Sequence, residues 1–233
     1  MKKLAILQSN YIPWKGYFDL INSVDVFVLY DCVQYTKNDW RNRNQVLVNG
    51  MPHWLTIPVR QVAMAQLIQD THTAGSSWAR KHWATLQQNY ARAPGFGTYS
   101  DSLRELYEQL AEVGELSLIN RTLIEFICCA LGVRTDLLDA RELDIEGDRN
   151  ERLVNICQQL GARTYVSGPA ARTYLDTQMF KHANINVEWF EYGPYPQYPQ
   201  AAEVFTHHVS VLDLILNTGA DAAGFFRKVT THA

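Results

Sequence analysis

The apolar positions of this chain follow two periods. Residues 3–8 (KLAILQ) and 25–30 (DVFVLY) are short apolar runs, the pattern of strands buried on both faces of a parallel sheet. Between them, residues 15–23 (KGYFDLINS) set Tyr17, Leu20 and Ile21 at helical spacing. The chain therefore opens as a β-α-β unit, for which a right-handed crossover is expected. After a polar loop over 31–44, Asn49-Gly50 separates two strand-like runs in QVLVNGMPHWLTIPV. That dipeptide suits the positive φ angles of a type I′ turn and predicts a hairpin.

Residues 76–131 read as helical. Ser76 or Ser77 is placed to cap a helix over 78–90, and Pro94-Gly95 breaks it. Leu103, Leu106, Tyr107 and Leu110 form one apolar face, and Leu116, Ile119, Leu123 and Ile127 another, ending near Gly132. The α/β alternation then resumes: a helix over 149–160, strands over 163–167 and 186–192, a Tyr/Pro/Gln-rich loop over 193–204, and a last helix over 209–217 with Gly219 as its C-cap. The pattern predicts one α/β domain over 1–233: Rossmann-like, with a mostly parallel sheet, a β-α-β start, a β-hairpin and a helical insertion. Residues 76–131 would form a helical subdomain within it.

Composition narrows the class. Hydrophobic residues make up 47% and charged residues 19%, a globular balance. The net charge is -3 with no long run of one sign, so a footprint for duplex nucleic acid is missing. No apolar run approaches the roughly 20 residues that span a bilayer. The opening MKKLAILQSNYIPW is too briefly apolar for a signal peptide. Cys32, Cys128, Cys129 and Cys157 form no CxxC pair and no zinc pattern. A cytoplasmic protein with reduced thiols and no metal is the expectation.

Four clusters carry candidate chemistry. The first, Gln8 to Tyr17, joins a parallel strand to its helix, where α/β proteins bind ligands. Within it, Gln8, Tyr11 and Gly16 are candidate binding positions. Its spacing resembles the HxGH junction of nucleotidyltransferase-like folds, with Trp14 and Tyr17 where that motif has histidines. The missing imidazoles argue against simple adenylyl transfer. A strand–helix turn with packing aromatics is the plainer reading.

The second cluster follows the next strand: Tyr30, Asp31, Gln34, Tyr35, Lys37, Trp40, Arg41, Asn42, Arg43 and Asn44. Arg binds phosphate or carboxylate bidentately, and Asn and Gln read hydroxyls and amides. A solvated polar loop is the alternative. The third is Trp78, Lys81 and His82 on one helix face, where Lys81 or His82 could move protons. Against that stands a surface histidine beside a solvated lysine. The fourth gathers Tyr174, Gln200, His207, His208, Ser210 and Asp213. Ser210 with Asp213 reads equally as an N-cap and capping-box pair. A Ser-His-Asp triad lacks the nucleophile elbow that would support it.

Together these stretches resemble the WbqC-like family. QSNYIPWKGYFDLINSVDVFVLYDCVQYTKNDWRNRN, with its Gln-x-x-Tyr-x-Pro opening, Gly-Tyr pair and Trp-x-Asn-Arg-Asn loop, is the most specific. LTIPV, WARKHWATLQQNYARAPGF, ERLVNICQQLGARTYVSGPAARTYL and YPQAAEVFTHHVSVLDLILNTG carry the rest, the central helical region only loosely. On the family's motif positions fall Gln8, Tyr11, Pro13, Gly16, Asp31, Gln34, Lys37, Trp40, Asn42, Arg43, Asn44, Tyr90, Gly168, Tyr174, Gln200, Ser210 and Asp213. Cys32 departs from an acidic residue in the family. Pro169-Ala170-Ala171 departs from a glycine-rich turn, which puts in doubt a backbone ligand contact there.

The resemblance implies a bacterial protein of polysaccharide or O-antigen biosynthesis, working on unusual sugars. Three functions compete, the first resting mainly on this resemblance and the second on the β-α-β opening. The first is acyl or aminoacyl transfer to a nucleotide-linked amino sugar, with Asp31, Lys81 or His82 as base and the other named residues holding substrate. The donor would be a thioester, with an acyl-carrier protein and a homodimer left open as partners. The second is a nucleotide-activating enzyme using ATP. The third is a non-catalytic sugar-nucleotide-binding or scaffold protein. Nucleic acid and membrane are not expected partners.

Overall fold

The computed structural model describes residues 1–63 and 65–226. The chain opens with β1 (Lys3–Leu7), α1 (Lys15–Asn22) and β2 (Val26–Leu29), then leaves the sheet. Away from it form the hairpin β3 (Arg43–Val48) and β4 (Met51–Thr56), and the minimal ladder β5 (Val59–Arg60) and β6 (His72–Thr73). Three helices follow: α2 (Ser77–Tyr90), α3 (Phe96–Leu110) and α4 (Leu116–Ala130). The chain returns as β7 (Asp136–Asp139), α5 (Arg149–Gln159), β8 (Thr164–Ser167), α6 (Thr177–His182), β9 (Asn186–Trp189) and α7 (Val211–Thr218).

Five strands form one sheet in the order β7-β2-β1-β8-β9, and every neighbouring pair is parallel. The protein is thus a mixed α/β fold with a central parallel sheet, two small antiparallel ladders and, among the described residues, seven α-helices. Strand alternation explains its layers. Leu4, Ile6, Val26, Val28 and Tyr165 pack with α5 and α6 through Leu153, Ile156, Cys157 and Phe180. Ala5, Phe27, Leu29 and Val166 face the other way, onto α1, the hairpin, α2 to α4 and α7. Both faces are covered, as an all-parallel sheet requires.

The Asn-Gly turn is as its sequence demands: Asn49 and Gly50 take φ of 50° and 78°, and β3 pairs with β4 from Val48↔Met51 to Arg43↔Thr56. Three features differ from the sequence pattern. β7 (DLLD) and α6 lie where no element is expected, each too short to show a period. β9 stops at Trp189, because the chain then enters a segment whose prolines at 194, 196 and 199 offer no N–H. Ser76 precedes α2 without a capping bond. By contrast Ser210 does cap α7, its hydroxyl accepting from Leu212 N at 3.2 Å.

Gly95 shows how closely the helices after the hairpin approach α7. Its N–H donates to Leu216 O at 2.9 Å, and a Cβ there would lie 2.5 Å from Ile215 O. Only glycine fits.

Candidate functional site

The sheet order reverses between β1 and β8. The chain steps outward from β1 to β2 and β7, then returns to the other side for β8 and β9. At such a reversal the loops leaving the strands' carboxyl ends diverge and open a crevice. A cavity of about 670 Å³ lies there, lined by Gln8, Tyr30, Gln34, Tyr165, Tyr174 and the start of α5, including Arg149 and Arg152. A recess of about 210 Å³ adjoins it, sharing Ile6, Leu7, Tyr165 and Tyr174 and continuing past Ser167, Gly168 and Tyr192.

The charge of the cleft comes from side chains. Asp148 caps α5, accepting from Asn150 N at 2.8 Å and Glu151 N at 3.0 Å, and Glu151 accepts from Asp148 N at 2.7 Å. This capping box occupies amides that a bare helix start would offer to an anion. The guanidiniums are what remains. The Arg149 guanidinium carbon lies over the Tyr174 ring, 3.4 Å from its centroid, and Arg149 has no ion-pair partner among the described residues. Arg152 donates to Gly147 O at 2.8 Å. Burial and neighbouring Cys32 raise the pKa of Tyr30, which stays a neutral hydroxyl beside them.

The loop after Gln8 is fixed by buried polar bonds. Asp31 accepts from Ser9 N at 2.8 Å and from the Ser9 hydroxyl at 2.6 Å. Asn120 donates to that hydroxyl at 3.0 Å and to Arg41 O at 2.8 Å. Tyr11 is fully buried, its hydroxyl 2.8 Å from His82 Nδ1 and 2.9 Å from the Tyr107 hydroxyl. His82 also bonds the Thr56 backbone, and burial lowers its pKa to about 4, so it is neutral and its Nδ1 accepts a hydrogen bond from the Tyr11 hydroxyl. Ile12 takes φ of 36°, unusual for a β-branched residue. The Asn44 amide holds it there, donating to Tyr11 O at 3.2 Å and Ile12 O at 2.9 Å.

The segment after β9 straps this loop down. Asp213, on α7 and fully buried, accepts from the hydroxyls of Tyr90 and Tyr198, each at 2.7 Å, and from Gln200 at 2.6 Å. Its carboxylate therefore ties α7 to α2 and to the strap rather than completing a capping box with Ser210. Burial raises its pKa against the pull of these three donors. Lys15, 3% exposed, donates to Pro196 O at 3.0 Å and sits 5.1 Å from the ring centroids of Tyr195 and Tyr198. Burial brings its pKa down to about 8, opposed by the negative charge of Asp19.

Comparison with known proteins bears on this arrangement. The model of the WbqC-like protein family matches residues 8–224. The chain belongs to the WbqC-like family. A relative, the uncharacterized protein Rv1507c of Mycobacterium tuberculosis (strain ATCC 25618 / H37Rv), is 45% identical over 228 residues, covering 97% of this chain and 98% of its own. No solved structure gives a significant match.

The residues singled out by this WbqC-like sequence fall into six places. Gln8, Tyr30, Gln34 and Tyr174 line the cleft. Trp40 and Asn44 line a separate cavity beside Trp14. Asp31, Asn42, Tyr11, His82, Gln200 and Ser210 are engaged in the hydrogen bonds that hold the loops, Asn42 through Ile57 O at 2.8 Å. Lys37 and Lys81 are exposed, whereas Trp78 and His82 on the same helix as Lys81 are buried. Arg43 donates to Asn38 O at 2.5 Å and packs on Trp54. Gly16 lets the Trp14 ring fold back over α1, since a Cβ there would lie 2.3 Å from the indole.

Arg149 and Arg152 are the site residues that the sequence pattern passed over. Their signal was present in Asp148-x-x-Glu151, which starts a helix and places both arginines in its first turn. Among the described residues, no helix is long and apolar enough to cross a membrane, and no cluster of three His, Cys, Asp or Glu side chains could hold a metal ion.

Proposed function

We propose that this WbqC-like protein is a transferase of surface-polysaccharide or unusual-sugar biosynthesis. It takes a nucleotide-linked amino sugar and an acyl or aminoacyl thioester. The observation that carries the reading is the Arg149–Tyr174 stack in the 670 Å³ cleft at the reversal of strand order. An unpaired guanidinium suits a diphosphate, an aromatic ring suits a base, and Gln8 and Gln34 suit sugar hydroxyls.

The chemistry asks little of the protein. The sugar amine attacks the thioester carbonyl, a C–N bond forms, the C–S bond breaks, and the amine's proton ends on the departing thiol. Orientation supplies most of the acceleration, so no side-chain nucleophile is required. Burial pushes the Cys128 and Cys157 thiols up to about 12 and also raises Cys32, against a nucleophilic thiolate. Of the three candidate bases only Asp31 adjoins the cleft, through Tyr30. Both its oxygens hold Ser9. In this reading Asp31 positions the loop that carries Gln8.

The test is a thermal-shift screen with nucleotide-linked amino sugars, ATP and acyl thioesters. A ligand at 100 times its dissociation constant adds about 2.7 kcal/mol. Stabilisation by an amino-sugar nucleotide is the expected outcome. Arg149→Ala and Arg152→Ala should each weaken that binding by about 1.5–3 kcal/mol, the worth of a charged hydrogen bond. Stabilisation by ATP alone would replace this reading with a nucleotide-activating enzyme. No shift with any of them would remove it.

A further inference from the structure

The proposed reaction leaves unused a second cavity of about 240 Å³, lined by Asn10, Pro13, Trp14, Trp40, Asn44 and His208. It is divided from the cleft by an aromatic wall. Trp14 packs on Tyr192 with ring centroids 5.4 Å apart, and Tyr192 lines the recess on the other side.

The walls of this cavity are flat, preformed and partly exposed. Trp40 in the lining is 45% exposed, and Trp54, which backs it from outside the lining, 38%. Their rings lie 5.5 Å apart, tilted by 38°, and the Arg43 guanidinium sits 4.3 Å from the Trp54 centroid. This stack fixes Trp40 while leaving it open to solvent at the cavity mouth. The two indoles form one contiguous exposed apolar patch beside a cavity with polar residues in its lining, the arrangement of a ligand-binding groove. Asn44, through its bonds to Tyr11 and Ile12, holds the strained turn between Asn10 and Pro13, so the cavity exists without a ligand.

Spare hydrogen-bonding capacity lies at two points. The Asn10 side-chain oxygen accepts from Arg41, while its Nδ2 has no partner among the described residues. The imidazole of His208 also has no hydrogen bond there, only its backbone N–H donating to Thr206. The nearby cations lie outside the lining, Arg41 bonding Asn10 and Asp39 and Arg43 bonding Asn38 O and stacking on Trp54. No lysine or arginine is among the lining side chains, so the cavity offers a phosphate little to hold it. The volume falls below the roughly 300 Å³ lower bound of drug-sized pockets, enough for a single ring.

We propose that this cavity is a saccharide subsite that takes one pyranose ring. The ring's C–H face lies on Trp40 and Trp14, and its hydroxyls meet Asn10 Nδ2 and His208. The subsite would take a second sugar, apart from the ligand of the arginine cleft, and it stands whether or not that cleft binds a nucleotide.

The test uses the full chain with methyl glycosides of glucose, galactose and N-acetylglucosamine. Indole fluorescence and saturation-transfer NMR are the readouts. Expected is a saturable millimolar signal with transfer to ring C–H protons, unchanged by saturating UDP. Trp40→Ala should weaken it about tenfold, as loss of an aromatic contact implies, with Trp40→Phe largely restoring it. Trp40→Ala should fold, because Tyr11 N bonds the backbone oxygen of residue 40, which alanine retains. Circular dichroism checks this, and His208→Ala, at an exposed position, gives a second, independent loss. Three results would overturn the proposal: no pyranoside signal at the solubility limit, a signal indifferent to both variants, or displacement by UDP. So would a Trp40-dependent signal from a hexanoyl thioester of N-acetylcysteamine when the glycosides give none.

Discussion

Single residues in this protein hold the loops by removing alternatives. His82 is the clearest case. Its folded pKa of about 4 lies below the ordinary 6.5, so the unfolded chain binds the extra proton. Stability is full above about pH 6.5 and falls as the pH drops toward 4, by roughly 3 kcal/mol in all. Urea unfolding at pH 7, 5.5 and 4.5 should show this slope. His82→Phe should lower stability at pH 7, because the Tyr11 hydroxyl loses its acceptor, but should flatten that part of the profile. Gly16→Ala tests a different constraint. Alanine favours the helix, yet its methyl displaces the Trp14 indole from its resting place. The expected result is a protein of near-normal stability with altered indole fluorescence and a weakened pyranoside signal. The sequence showed His82 and Trp78 on one helix face. It could not show that the face was sealed, because the sealing groups, Tyr11 and Tyr107, come from far along the chain.

At the scale of elements, α7 matters most for what it binds beyond itself. Ser210 caps it as the local pattern foretold. Asp213 was legible only as a capping partner, since its three true donors come from α2 and the strap. Asp213→Ala should cost about 3 kcal/mol, because it removes the acceptor of both buried hydroxyls, Tyr90 and Tyr198, and one of the acceptors of the Gln200 amide. Limited proteolysis should then cut the 193–206 strap faster, a readout separate from melting temperature. The hairpin was readable because Asn49-Gly50 is a local signal with a local cause. β7 was not: four residues with an acid at each end acquire strand character only by pairing with β2, as Val26↔Asp136 to Leu29↔Asp139.

For the whole molecule, the class of fold followed from the apolar runs, whereas the order of strands did not. The reversal between β1 and β8 depends on pairings across more than half the chain, which no window of sequence contains. The cleft inherits that limit. Its Gln8, Tyr30 and Gln34 were visible as residues following strands. Arg149 and Arg152 become neighbours of those groups only when β8 takes its place beside β1 and brings α5 over the sheet's edge.

The long detour between β2 and β7 has a kinetic consequence. These strands touch in the finished sheet, yet residues 30–135 lie between them. Closing so large a loop in an unstructured chain is entropically slow. The hairpin pairs within itself and α2 packs chiefly on α3, so this part of the chain can condense first and shorten the span. Pulse-labelled hydrogen exchange should therefore find the amides of β3, β4, α2 and α3 protected before those of β7. The edge of the parallel sheet would be among the last parts of the molecule to be completed.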